Sequence, residues 1–252
     1  MAPLTANGVR RGRARVGANA IRPAPNPVGA TPIYPRAVFE RLFHAYGPQH
    51  WWPGDSAFEV IVGAILTQSA AWPNVERALA NLKEAGALSP QGIRRLEEGE
   101  LAALLRPSGY FNAKARKLKA FVAVLYDRFE GDLDRLLATP GDELRALLLA
   151  THGIGPETAD SILLYAAGRP YFVVDAYARR IFSRLGRAPA VDTYDGWQAL
   201  FTDALPQDAA LFNEYHALIV EHGKRVCRPQ SRCAECVLRD VCPTAAPSRA
   251  EA

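Results

Sequence analysis

Residues 147–159, LLLATHGIGPETA, decide the fold. An apolar helical run ends at Gly153, a tight turn passes through Ile154 and Gly155, and Pro156 opens the next helix, where its missing N–H is not needed. Glycines at both corners allow positive φ and let a phosphate approach the N–H groups at the start of the second helix. Because a plain turn between two helices gives the same pattern, its meaning depends on the rest of the chain.

Helical periodicity continues on both sides of this turn, from residue 33 onward. Apolar residues recur at three- and four-residue spacing in segments 57–68, 74–86, 113–129, 142–153, 157–168, 175–186, 194–205 and 211–227. Only residues 171–174, YFVV, look extended, and four residues are too few for a sheet. About ten helices joined by short turns predict an all-α fold.

Composition predicts a large folded region behind a basic tail. Hydrophobic residues make up 49% of the 252 residues, enough to bury a substantial core. Residues 1–32 contain five of the 30 basic residues and no acidic residue, so we expect a disordered basic tail, either a nonspecific DNA-binding arm or an unstructured extension. Without those five arginines the chain is close to neutral, because it has 26 acidic residues.

No segment of the sequence has the character of a membrane anchor or a secretion signal. Apolar runs stay well below the roughly 18 residues of a transmembrane helix, and no apolar stretch of signal-peptide length follows the N-terminal arginines. We therefore expect a soluble protein without membrane contact, located in the cytoplasm.

All four cysteines lie near the C-terminal end, in the pattern Cys227-x5-Cys233-x2-Cys236-x5-Cys242. A C-x2-C core with one further cysteine on each side lets a compact loop present four thiolates to one centre, either a tetrahedral zinc ion or a [4Fe-4S] cluster. Two disulfides are the alternative, but nothing in the sequence marks a secreted protein. The pattern therefore predicts one metal site.

Asp175 stands twenty residues after Gly155, behind the apolar run and at the start of a helical segment. Asp at such a position is commonly only an N-cap that accepts a backbone N–H. Here, however, the hairpin glycines, the apolar run, Asp175 and the cysteine loop follow one another in a single order. In this combination the chain resembles the helix-hairpin-helix DNA glycosylases of the endonuclease III family.

The resemblance covers residues 33–243 and implies two helical lobes, with DNA and a flipped base in the cleft between them. One lobe would be a helical barrel, residues 57–173, that carries the hairpin. The other would combine residues 33–56 with 174–243 and hold a [4Fe-4S] cluster, with zinc as the lesser alternative, before a disordered tail at 244–252. The protein would act as a monomer.

Several site residues follow from the same resemblance. Asp175 would be the catalytic carboxylate, and Gln68 would lie in the region that fills the gap left by the extruded base. A DNA phosphate would be held by Gly153, Ile154 and Gly155. The basic residues around the cysteine loop, Lys224, Arg225, Arg228 and Arg232, suggest a DNA-facing surface. Phosphate contact or a solvated helix face would explain a second basic group, Lys114, Arg116, Lys117 and Lys119.

Two positions depart from the family pattern. Cys227 and Cys233 enclose five residues instead of the family's usual six, which a cluster fits if the loop is tighter. Glu157 stands where bifunctional members carry the lysine whose amine forms a Schiff base and leads to strand cleavage. A carboxylate cannot form that bond, so the sequence predicts monofunctional hydrolysis in which Asp175 stabilises positive charge on the deoxyribose and orients or deprotonates water.

Trp51 and Trp52 point to the kind of base that is removed. Adjacent side chains do not share a helix face, so two ordinary core residues are unlikely at these positions, although one core and one exposed tryptophan would satisfy the pattern. With Trp72, they resemble the 3-methyladenine glycosylase branch of the family, which implies that all three line the base pocket. An alkylated purine is cationic, leaves easily and gains from stacking on aromatic faces.

The leading interpretation is a monofunctional DNA glycosylase of base excision repair that acts on alkylated purines such as 3-methyladenine. Three alternatives stay open: a bifunctional glycosylase and AP lyase for oxidised pyrimidines, a mismatch-directed glycosylase, and a catalytically silent protein that binds DNA structures. The five histidines show no ligand spacing and are interpreted as structural.

Overall fold

The computed structural model describes residues 33–245. The predicted N-terminal tail, residues 1–32, lies outside this part of the chain, as do residues 246–252 of the predicted C-terminal tail. Thr244 and Ala245, the first two residues of that tail, belong to a 3-10 turn, Pro243–Ala245, and the Thr244 hydroxyl donates to the Arg184 carbonyl at 2.8 Å.

Between residues 33 and 245 the chain forms twelve α-helices and no strand, which confirms the all-α prediction. They are α1 (Pro35–Tyr46), α2 (Ala57–Leu66), α3 (Trp72–Glu84), α4 (Pro90–Arg95), α5 (Glu98–Leu105), α6 (Phe111–Phe129), α7 (Leu133–Ala138), α8 (Gly141–Ala150), α9 (Pro156–Ser161), α10 (Ala176–Arg184), α11 (Tyr194–Thr202) and α12 (Ala209–Arg225). A π-helical turn, Ile162–Ala166, continues α9. Four helices, α1, α4, α5 and α7, lie outside the predicted segments, and two of them, α4 and α7, have only six residues, too few to show a helical period.

The first of two hydrophobic clusters surrounds α2. This helix is buried from Phe58 to Leu66, as expected for a helix that is apolar on nearly every side. Side chains from every helix from α3 to α9 also belong to the cluster. Glu59 is the one acidic residue of α2. It is buried and pairs with Lys83 at 2.8 Å, so its charge is compensated.

The second cluster is aromatic and joins α1, α10, α11 and α12. Phe172 stacks on Phe201 with 3.9 Å between ring centroids, and the rings of Phe212 and Tyr215 meet Phe172 edge-on. Residues 172–174 pass through this cluster as an extended segment, which explains the apolar run at 171–174. Leu164, Phe172 and Val173 pack here although they fall within the range proposed for the first lobe, and the lobe boundaries stay a prediction.

A buried polar network fixes the extended segment directly before Asp175. Gln198 donates to the Phe172 carbonyl at 2.7 Å and to Asp160 at 2.8 Å, while the Val174 N–H donates to the Tyr194 hydroxyl at 3.3 Å. Asp160 is fully buried and pairs with Arg145 at 2.7 Å. The extended segment has no partner strand, so these side chains make the hydrogen bonds that its backbone needs. They thereby fix the position of Asp175, the N-cap of α10.

Among residues 33–245, none of the helices combines the length and apolar character needed to cross a membrane.

Candidate active site

A cleft of about 520 Å³ opens between the two clusters and gathers most of the predicted site residues. Trp51, Trp52 and Trp72 line it together with Asp175 and Glu157. Its other polar lining residues are Gln68, Thr67, Thr158, Ser161, Tyr177, His216 and Lys224. The hairpin residues 153–155 and Arg225 are not part of its lining.

Asp175 serves as the N-cap of α10, and it also lines the cleft. Its Oδ1 accepts the Ala178 N–H at 2.8 Å, so the N-cap interpretation describes one oxygen correctly. Its Oδ2 lies 3.6 Å from His216 Nε2, and the side chain is 13% exposed. The carboxyl therefore stands at the N-terminus of α10, where the helix dipole attracts negative charge, and at the wall of the cleft.

Trp51 and Trp52 are both half-buried, and both line the cleft. Trp52 meets Trp72 edge-on, with centroids 5.3 Å apart and ring planes at 89°. Trp51 lies nearly parallel to Tyr165, at 6.4 Å and 17°. An added Cβ at Gly63 of α2 would stand 3.2 Å from Trp52 Cζ2, so this glycine provides the space in which the Trp52 ring packs.

Tyr165 and His216 complete the site, although the sequence does not single them out. The Tyr165 hydroxyl and His216 Nδ1 are 2.5 Å apart, and both rings contact Trp51. Burial, and then the negative charge of Asp175, raise the pKa of Tyr165, so its hydroxyl keeps its proton. The interpretation of His216 as merely structural is incomplete, because it is a wall residue of the cleft.

Glu157, at the position of the lyase lysine, lies in the first turn of α9 and lines the same cleft. Its pKa is raised, first by the loss of solvent around the carboxyl and second by the negative charge of Asp175. The structure therefore brings two carboxyl groups into one cavity. Their environments differ, because Asp175 caps a helix and Glu157 does not.

The hairpin between α8 and α9 has one positive-φ corner. Gly153 uses the positive φ that glycine allows, at +80°, whereas Gly155 has φ −93° and ψ 177° and does not use it. Gly155 is the N-cap of α9, and an N-cap has extended backbone. A Cβ added at Gly155 would meet nothing within 4 Å, which leaves this corner open to an approaching group.

Ile154 of the hairpin and Gln68, which follows α2, make contacts within the protein. The Ile154 side chain is buried in the first cluster, and its N–H donates to the Thr151 carbonyl at 3.1 Å. Gln68 donates to the Gly153 carbonyl at 3.1 Å and to Thr158 Oγ1 at 2.8 Å, and it accepts from Lys117. Gln68 thus ties the end of α2 to the hairpin.

Of the basic residues singled out on α6, Lys114 is buried and belongs to the interior. Lys114 Nζ donates to the Ser108 carbonyl at 2.6 Å, and desolvation lowers its pKa to about 8. It therefore supports the turn before α6 and does not face phosphate. On α12, Arg225 pairs with Glu221 at 2.9 Å, whereas Lys224 Nζ lies in the cleft wall, 5.5 Å from the Trp51 ring centroid.

The four cysteines form a half-buried loop against the second cluster. Two N–H groups donate to sulfur, from Arg184 to Cys227 at 3.3 Å and from Leu238 to Cys236 at 3.4 Å. Such donors stabilise thiolate ligands of a metal centre. Within residues 33–245, no three His, Cys, Asp or Glu side chains converge closely enough to hold a single metal ion.

Arginines fasten this loop to α10 and α1. Arg184 donates to the carbonyls of Arg228 and Pro229 at 2.7 and 2.9 Å, and Arg180 donates to the Cys227 carbonyl at 2.8 Å. From α1, Arg41 forms a bidentate pair with Asp240, at 2.6 and 3.0 Å. Helix α10 therefore carries Asp175 at its start and holds the cysteine loop near its end.

Comparison with known proteins points to one family. Residues 62–207 match the family model of the HhH-GPD superfamily base excision DNA repair protein. A provisionally assigned DNA repair glycosylase of Methanocaldococcus jannaschii is 44% identical over 81% of this chain and 94% of its own length. Endonuclease III of Sulfolobus acidocaldarius is 30% identical over 74% of this chain and 82% of its own.

Solved structures share the architecture. H. pylori 3-methyladenine DNA glycosylase (MagIII), bound to 1,N6-ethenoadenine, has a TM-score of 0.66 and 28% identity, and the match covers 77% of this chain and 98% of that one. A trapped endonuclease III–DNA covalent intermediate has a TM-score of 0.73 at 22% identity, covering 84% and 97% of the two chains. The second match shows the fold alone.

Proposed function

This chain belongs to the HhH-GPD superfamily of base excision DNA repair proteins, and from that premise we propose that it is a monofunctional DNA glycosylase for alkylated purines. Membership confirms the resemblance to endonuclease III-like glycosylases. The observation that carries the proposal is the cleft in which Asp175 faces three tryptophans while Glu157 occupies the lyase position. Loss of base from methylated duplex DNA tests it.

The proposed reaction uses the carboxylate as the electrostatic partner of a sugar cation. Damaged duplex DNA binds across the hairpin, where the open corner at Gly155 accepts a phosphate, and the flipped base enters the cleft. As the N-glycosidic bond breaks, positive charge develops on the deoxyribose, and Asp175 stabilises it and orients or deprotonates water. The products are a free base and an abasic site.

The aromatic walls of the cleft favour a cationic base. Lys224 places its own positive charge beside Trp51, whereas Trp52 and Trp72 meet edge-on and no basic side chain of residues 33–245 lies over either ring. A positively charged purine is therefore best placed against Trp52, where the ring quadrupole attracts it without competition from the ammonium group. Trp51 and Trp52 look equivalent in the sequence, but the position of Lys224 gives them different roles in binding a cationic base.

We propose a [4Fe-4S] cluster for the four-cysteine loop. A cubane takes one thiolate on each iron, and four cysteines in one compact loop provide that number. Cys227, Cys233, Cys236 and Cys242 would hold it, with the N–H donors of Arg184 and Leu238 beside the sulfurs. Its contribution would be structural, because the loop lies on the far end of α10 from Asp175.

One observation favours a second candidate, a glycosylase with AP lyase activity. Lys224 lines the cleft, so an amine from α12 could take the place of the hairpin lysine. Borohydride trapping on abasic DNA distinguishes the two candidates, because only a Schiff base gives a covalent complex. The monofunctional proposal predicts no trapped complex above that of a Lys224→Met variant.

The tryptophans should discriminate between cationic and neutral lesions. Stacking is worth roughly 1–3 kcal/mol per base, so we expect Trp52→Ala to slow excision of a methylated, cationic purine by about ten- to a hundredfold. Trp51→Ala should cause a smaller loss, because Lys224 already lies against that ring. Single-turnover excision of 7-methylguanine and 1,N6-ethenoadenine provides the comparison, and equal losses for both bases would contradict the cationic-base proposal.

A further inference from the structure

His216 lines the cleft between Asp175, which also lines it, and Tyr165, which lies behind it, and we propose that His216 is the positioning residue for the Asp175 carboxylate. In this arrangement His216 Nε2–H donates to Asp175 Oδ2, and the Tyr165 hydroxyl donates to Nδ1 and thereby fixes the tautomer. The inference rests on the proposed function, because it concerns how the same carboxylate is held for base excision.

The distances define the line. Tyr165 Oη and His216 Nδ1 are 2.5 Å apart, and His216 Nε2 is 3.6 Å from Asp175 Oδ2. The His216 side chain is only 6% exposed, and its Nε2 has no partner within hydrogen-bond distance among residues 33–245. A buried ring nitrogen that faces a carboxylate needs only a small approach to form a charge-assisted bond, and catalytic hydrogen bonds often tighten when substrate binds.

Electrostatics selects one of the two neutral tautomers. If the Tyr165 hydroxyl donates to Nδ1, the ring proton is on Nε2 and points at the carboxylate. The reverse tautomer would place a proton on Nδ1 and aim the Nε2 lone pair at a negative charge. Because a lone pair aimed at a carboxylate is repelled, the first arrangement is favoured, and the protonated Tyr165 hydroxyl is able to donate in it.

Both oxygens of Asp175 are then held. Oδ1 accepts the Ala178 N–H at 2.8 Å, and Oδ2, now 3.6 Å from His216 Nε2, would accept from it once the ring and the carboxylate approach. A charge-assisted hydrogen bond at Oδ2 would fix the direction of the carboxylate from the side opposite the N-cap bond. A carboxylate that does not rotate presents its charge to the same point at which the sugar cation develops.

Other charged groups lie near the Asp175 carboxylate, and the experiment takes them into account. Glu157 and Lys224 line the cleft, and Arg179 of α10 acts on Glu157. Activity profiles are therefore measured in a Glu157→Gln background, which leaves Asp175 as the one carboxyl among the residues that line the cleft. Lys224 and Arg179 stay unchanged in every variant, so their effect is common to all of them.

Single-turnover release of methylated bases from duplex DNA, as a function of pH, tests the inference. Losing one hydrogen bond to a charged group should slow His216→Phe by about ten- to a hundredfold and move the acid limb of its rate profile up by about one pH unit. His216→Gln retains an N–H donor near the Nε2 position and should recover most of the rate and the limb. Tyr165→Phe keeps the stacked ring and should give an intermediate loss.

Affinity for an abasic-site duplex should be the same for all variants, because none of these residues is proposed to hold DNA. A His216→Phe protein with wild-type rate and acid limb overturns the inference, as does a His216→Gln protein as slow as His216→Phe. If His216→Phe does not fold, the pH–rate profiles of His216→Gln and Tyr165→Phe test the inference in its place.

Nitrogen-15 NMR of histidine-labelled protein gives a readout that does not depend on activity. His216, assigned from the His216→Gln spectrum, should carry its proton on Nε2 in the wild type, and a proton on Nδ1 instead contradicts the inference. If the wild type releases no methylated base, the proposed function fails, whereas a wild type that releases base with an Nδ1-protonated His216 defeats only the positioning role.

Discussion

Asp175→Asn should reduce base release by at least about a hundred- to a thousandfold, because the amide lacks the charge that opposes the developing sugar cation. Folding should be retained, since Asn is as good an N-cap as Asp and its amide oxygen can accept the Ala178 N–H that Oδ1 accepts now. Binding to lesion-containing duplex should be unchanged or tighter, because a negative charge near the DNA is removed. Single-turnover excision and an equilibrium binding assay measure the two effects.

Asp208→Asn is the matched control. Asp208 caps α12 in the same way, accepting the Ala210 and Leu211 N–H groups, and it lies outside the lining of the cleft. It should keep wild-type excision. An Asp175→Asn protein that is folded and fully active would remove this carboxylate from the mechanism, and one that unfolds while Asp208→Asn does not would make capping its main role.

The second large effect is expected at the cysteine loop. Cys236→Ser should lose the brown colour and the approximately four irons expected of a [4Fe-4S] protein. Metal-binding free energy is also folding free energy, so the melting temperature should fall by about 10 °C. DNA affinity should fall more than the rate of bond cleavage in the bound complex, because Lys224 and Arg225 lead directly into the loop.

Ser231→Ala provides the comparison within the same loop. Its hydroxyl lies 3.2 Å from Cys233 Sγ but supplies no ligand, so the iron content and the melting temperature should stay close to those of the wild type. Iron analysis of purified protein and thermal unfolding followed by circular dichroism give both numbers. A colourless wild-type protein with one zinc ion would contradict the cluster proposal.

Eight of the twelve helices in residues 33–245 could be predicted because their signals are local. Apolar spacing within α2, α6 and α12 follows from the sequence, and so does the Gly153 corner at the end of the preceding helix. The conformation of Gly155 could not be predicted in the same way, because glycine tolerates several conformations and the N-cap of α9 selects the extended one. In the sequence, Lys114 resembles a surface lysine. Its burial depends on the 106–108 turn, where the Ser108 carbonyl accepts a hydrogen bond from it.

The site divides along similar lines. Asp175, Glu157 and the tryptophans stand at positions that the family resemblance identifies, and the structure brings them to one cleft. Tyr165 and His216 meet only because the π-helical turn after α9 packs against α12, so no spacing in the chain marks the pair. The difference between Trp51 and Trp52 likewise depends on Lys224, which is distant in sequence.

The most direct test of the central claim uses wild-type protein and a panel of duplexes that each carry one lesion: 7-methylguanine, 3-methyladenine in methylated DNA, 1,N6-ethenoadenine, thymine glycol or a T·G mismatch. Reactions are scored for free base and for strand breaks, with and without alkali. Hydrolysis by Asp175 with Glu157 at the lyase position predicts release of methylated purines and breaks that appear only after alkali. Breaks without alkali, or excision of thymine glycol equal to that of methylated purines, would contradict it.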